Sequence, residues 1–144
     1  MKTVSQPLNF ILNISKFYAI LSRRFDSGLW GLGLTEFLIL HRLSESEGWK
    51  MRRIDLANKI WLTASGITRI LLPMEKIWLV SREIHETDAR VSLVGIAPGW
   101  KMKLEEALER AELICSDNIW NDRDEKIKEF SEILNELGWK FLWN

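Results

Sequence analysis

One change of rhythm constrains this chain more than any other feature. Its apolar residues recur at helical spacing almost throughout, but between Leu79 and Ile96 the pattern breaks into two short runs containing β-branched residues. Leu79-Val80-Ser81-Arg82-Glu83-Ile84 and Arg90-Val91-Ser92-Leu93-Val94 read as strands. The polar His85-Glu86-Thr87-Asp88-Ala89 between them reads as a hairpin loop, and Pro98-Gly99 ends the strand region. The fold class is therefore mostly α with one small β-hairpin.

The helices around that hairpin can be read from their caps and stripes. Leu8 to Phe25 carries apolar residues at 10, 14, 17 and 21 and again at 11, 18 and 25, a wide face that suits burial on more than one side. Gly28, Gly31 and Gly33 then break the pattern. Thr35 can cap a helix from Glu36 to about Ser44, with Leu34 as a staple against Ile39. A short helix from about Met51 to Ile60 follows, and Thr63 is a good cap for another reaching Lys76, with Pro73 weakening its end. Leu104, Ala107, Leu108, Ala111, Ile114 and Cys115 mark a long fifth helix. Ile127, Phe130, Leu134, Leu137 and Phe141 then alternate steps of three and four, a stripe of heptad character. Such a stripe packs either on its own core or on a second copy. Apolar helices at both ends of a basic centre favour the second copy. This divides the chain into an N-terminal dimerisation helix and linker (1–33), a central lobe (34–98) and C-terminal dimerisation helices (99–144).

The formal net charge is zero, yet its distribution is uneven. From Trp49 to Arg82 seven bases stand against two acids; from Lys101 to Asn144 seven bases stand against eleven acids. A basic middle can meet phosphates even when the average is neutral, although solvated helix faces would give the same counts. Two helices joined by the short turn Lys59-Ile60-Trp61-Leu62 describe a helix-turn-helix, and a charged hairpin after it describes a wing.

Three segments carry a family resemblance. Leu56-Ala57-Asn58-Lys59-Ile60, Leu62-Thr63-Ala64-Ser65-Gly66-Ile67-Thr68-Arg69 and Met74-Glu75-Lys76-Ile77-Trp78-Leu79-Val80 resemble the core of MarR-family regulators, and Asp88-Ala89-Arg90 matches that family's Asp-x-Arg wing motif. The resemblance runs from about Leu34 to Trp100. It implies a winged helix-turn-helix transcriptional regulator, a homodimer on a pseudo-palindromic duplex operator, acting as a repressor and located in the cytoplasm. In that reading the helix starting at Thr63 enters the major groove and offers Thr63, Ser65, Thr68 and Arg69 to phosphates and base edges. Lys50, Arg52 and Arg53 on the short helix before it clamp phosphates, which fixes orientation without reading sequence. Arg90 reaches into the minor groove, and Asp88 orients it. The resemblance also implies release by a small aromatic or lipophilic effector. The alternative is a winged-helix interaction module whose DNA face is weakened or lost.

The sequence departs from the family at its tryptophans. Trp61, Trp78 and Trp100 stand where the family usually has glycine, and Trp30 and Trp49 have similar surroundings. Glycine suits turns because it reaches positive φ without a Cβ clash. Either these turns are rebuilt around stacked indoles, or the motif is degraded and DNA affinity falls.

Other classes find little support. Two histidines (His41, His85), one cysteine, no phosphate-binding loop and no spaced ligand cluster argue against an enzyme, a cofactor or a metal. A single cysteine fits a reducing cytosol, and no apolar run approaches the roughly 18 residues of a membrane span. Relatives that sense oxidants through a cysteine suggest a redox role for Cys115; its place in an apolar stripe favours a buried structural thiol instead.

Overall fold

The computed structural model describes residues 2–119 and 121–143. Its elements are α1 (Gln6–Gly28), α2 (Leu34–Ser44), β1 (Lys50–Arg52), α3 (Arg53–Lys59), α4 (Ala64–Lys76), β2 (Val80–Ile84), β3 (Ser92–Ile96), α5 (Lys101–Asn118) and α6 (Asp124–Trp143). Single 3-10 turns lie at Glu47–Trp49 and Pro98–Trp100. The chain forms two compact units, one up to Ala111 and one from Glu112, so the boundary falls inside α5.

Local chemistry sets the helix starts. Ser5 caps α1 by accepting the Leu8 N–H at 3.3 Å, with a proline in the first turn. The cap of α2 is Gly33 rather than Thr35: the Glu36 carboxylate reaches back to the Gly33 N–H at 2.9 Å, which moves the start two residues upstream. Thr63 caps α4 as anticipated, its Oγ1 accepting the Gly66 N–H at 3.0 Å. A Cβ on Gly66 would sit 3.0 Å from that same oxygen, so glycine keeps the cap unstrained. Pro73 lies in the last turn of α4 and the helix continues to Lys76.

The sheet has three strands where the sequence pattern suggests two. β3 is central, antiparallel to β2 from Val80↔Ile96 to Ile84↔Ser92 and to β1 from Lys50↔Gly95 to Arg52↔Leu93. Gly95 admits β1, since a Cβ there would meet the Lys50 Cβ at 3.4 Å and the Trp49 carbonyl at 3.7 Å. The second wing strand starts at Ser92, two residues later than its sequence suggests, which leaves Arg90 in the loop.

The first unit owns the hydrophobic core. Ile39, Leu40 and Leu43 of α2, Leu56 and Ala57 of α3, Ile67, Leu71 and Met74 of α4, and Val80, Val94 and Ile96 of the sheet are all buried. Leu104, Ala107 and Ala111 extend it along α5. In contrast, α1 buries only Phe25 and Gly28 within the chain, while Leu8, Ile11, Leu12, Phe17, Tyr18 and Ile20 are exposed. The wide apolar face of α1 is thus left open along most of its length.

Candidate nucleic-acid interface

α4 buries Ile67, Leu71 and Met74, which fixes the opposite side of the helix as its solvent face. Ser65 and Arg69, four residues apart, share that exposed face. Thr63 is also exposed, but its Oγ1 already accepts from Gly66 and lies 3.2 Å from Ser65 Oγ. Thr68 donates its hydroxyl to the Ala64 carbonyl at 3.0 Å, a bond within its own helix. Ser65 and Arg69 therefore have more freedom to reach outward than the two threonines.

The wing meets the start of α4 across an open recess. Arg52, Arg53, Ile54, Ala64, Arg90 and Ser92 are among its lining residues. Within it, Arg53 sits at the first position of α3 and is half-buried, whereas Arg90 is on the wing loop with its side chain 92% exposed. Asp88 organises that loop: its Oδ1 accepts the Arg90 N–H at 3.0 Å and the Arg90 Nε at 3.3 Å. Arg69 lines a different recess, with Asp26, Gly33, Thr35 and Glu36 among its neighbours. The candidate residues thus form two groups rather than one patch.

Lys50 and Arg52 are not on the short helix that the sequence suggested; both belong to β1, and only Arg53 opens α3. Each has an acidic partner. Lys50 Nζ is 3.2 Å from Glu83 on β2, and Arg52 holds Asp55 through Nε at 2.8 Å and Nη2 at 3.1 Å. That bidentate bond, reinforced by the Asp55 charge, raises the Arg52 pKa further. Arg82 pairs similarly with Glu75 at 3.2 Å. These exposed pairs contribute little to stability. Ile54 and Ser92 also line this recess, which the sequence does not signal because β1 meets β3 only in the folded sheet.

Residues 32–92 match the MarR family model. That stretch holds most of the lobe, from the start of α2 to the wing. AbsC, a MarR family transcriptional regulator from Streptomyces coelicolor, shares the fold over 100% of both chains at 22% identity and a TM-score of 0.79. The transcriptional regulator BldR from Sulfolobus solfataricus is 26% identical, with 94% of this chain and 99% of that one covered and a TM-score of 0.72. Sco3205, a MarR family transcriptional regulator from S. coelicolor solved in complex with DNA, gives 18% identity, 94% and 90% coverage and a TM-score of 0.72. At such identities AbsC and Sco3205 establish the fold alone. No curated protein sequence matches the chain.

Four of the five tryptophans singled out in the sequence adopt positive φ: Trp30, Trp49, Trp61 and Trp78. These turns are therefore left-handed despite the indole side chains. Trp100 differs, ending a 3-10 turn without positive φ.

Cys115 is half-buried rather than fully buried, and burial, followed by the Glu112 carboxylate, pushes its thiol up. His85 lies in the wing loop, where its Nδ1 accepts the Thr87 N–H at 3.2 Å. His41 faces Glu45 from 3.8 Å. Among the described residues no group of three His, Cys, Asp or Glu is placed to hold a metal ion, and no helix is long and apolar enough to cross a membrane.

Proposed function

We propose that this chain is a sequence-specific, duplex-DNA-binding transcriptional regulator, a repressor that works as a homodimer on a pseudo-palindromic operator. The observation that carries the reading is the exposed N-terminal half of α4 beside the Arg53–Arg90 recess. Ser65 and Arg69 are presented for the major groove, Arg53 for a phosphate, and Arg90 for the adjacent minor groove. A DNA complex of a protein with this fold, Sco3205, lends support. The exposed apolar faces of α1 and α6 support the homodimer.

Selection of bound duplexes from a random pool tests the proposal. A regulator of this kind enriches a two-fold-related site with half-sites about one helical turn apart, held with steep salt dependence. Failure to enrich any duplex contradicts it.

One observation favours the second reading, a winged-helix interaction module with a weakened DNA face. Lys50, Arg52, Arg82 and Arg90 each already hold a carboxylate, which lowers the effective positive charge of the lobe. Under that reading the folded dimer forms but retains no duplex at moderate salt.

A further inference from the structure

Among the described residues, every positive-φ position that is not glycine is tryptophan: Trp30 at 54°, Trp49 at 58°, Trp61 at 62° and Trp78 at 63°. The left-handed basin crowds any Cβ, and a bulky side chain there is a genuine outlier. Tryptophan makes up eight of the 144 residues. Four independent draws would all be tryptophan only about once in 10^5, so the coincidence calls for a cause.

Three of the four occupy the same place in the same motif. After α1 the Gly31 N–H donates to the Asp26 carbonyl at 3.1 Å, reaching back over Trp30. After α3 the Leu62 N–H donates to Ala57 O at 3.0 Å and the Trp61 N–H to Asn58 O at 3.4 Å. After α4 the Leu79 N–H donates to Met74 O at 2.9 Å and the Trp78 N–H to Glu75 O at 3.2 Å. These are Schellman closures, whose left-handed residue is usually glycine. Trp49 follows Gly48, itself at φ 68°, so two consecutive residues are left-handed there.

Burial of the indoles does not explain the choice. Trp30, Trp61 and Trp78 are 58%, 55% and 79% exposed, and no described tryptophan belongs to the core. Arg110 lies over Trp30 at 5.1 Å and Lys101 over Trp49 at 5.3 Å, but these are surface contacts. All the bonds that close the turns are main-chain bonds and survive loss of the side chain.

We infer that the cell that makes this chain inserts glycine at positions 30, 49, 61 and 78. A codon with two meanings supplies the route: UGA, a stop in the standard code, is decoded as tryptophan in some lineages and as glycine in others. The consequence is functional, because positions 61 and 78 bracket α4 and set both of its flanking turns.

Peptide mass spectrometry of the chain purified from its own cells, with the gene's codons read in parallel, tests this. Glycine at all four positions and UGA in the gene are expected; tryptophan in any of those peptides, or a UGG codon, overturns the inference. The physical premise has its own test in recombinant protein. Trp30→Gly/Trp49→Gly/Trp61→Gly/Trp78→Gly should melt roughly 10 °C above the tryptophan form, and the matching alanine quadruple variant below the glycine one. A glycine variant that melts no higher than the tryptophan form overturns the premise.

Discussion

The winged-helix lobe and the last helix use apolar residues in opposite ways. In the lobe, Ile39, Leu40, Leu43, Leu56, Ile67 and Met74 are fully buried by elements of the same chain. In α6 no described residue is buried, although Phe130, Ile133, Leu134, Trp139, Phe141 and Leu142 are all large and apolar. A face of that size costs solubility unless something covers it. Apolar residues along the sequence thus make two kinds of surface, one buried within the chain and one left open.

Core truncation should separate the two most strongly. Ile67→Ala should cost about 2–5 kcal/mol in equilibrium unfolding, because it leaves a cavity under α4. Leu134→Asp should leave secondary structure in place but convert the dimer to monomer in analytical ultracentrifugation. If Leu134→Asp instead unfolds the chain, the contrast between lobe and α6 is wrong.

Smaller effects come from the lobe's surface. Arg90→Ala should weaken duplex binding by about 1–3 kcal/mol, and Arg53→Ala should reduce the salt slope by about 1 without changing sequence preference. Thr63→Ala should lower stability by about 1 kcal/mol through loss of the bond to the Gly66 N–H. The smallest effect concerns Cys115. Its raised pKa means the folded state holds the proton more tightly than the unfolded one, so this contribution to stability is present at neutral pH and fades as pH rises past the ordinary thiol range. Alkylation of Cys115 at neutral pH should accordingly run slower in the folded chain than in denaturant.

Much of this was legible in the sequence. Thr63 marked the start of α4 because its cap is local, and the strand pair around the wing showed in its β-branched runs. β1 was not legible. Lys50-Met51-Arg52 alternates polar and apolar over only three residues, too few to mark a strand, and Gly95 lets it lie against β3. The cap of α2 was misplaced because the glutamate that closes it selects Gly33, not the nearer hydroxyl of Thr35. The charge count was readable, but its pairing was not: Glu83 meets Lys50 only through the sheet register. The tryptophans were readable as standing at positions where the resemblance implies glycine, but that four of them are left-handed shows only in the backbone angles.

Binding of duplex DNA by α4 and the wing is tested most directly by titrating the selected duplex across a range of salt concentrations. Log affinity should fall linearly with log salt, and Arg53→Ala/Arg90→Ala should flatten the slope by about 2. Binding that does not change with salt, or a slope that the double variant leaves untouched, would contradict it.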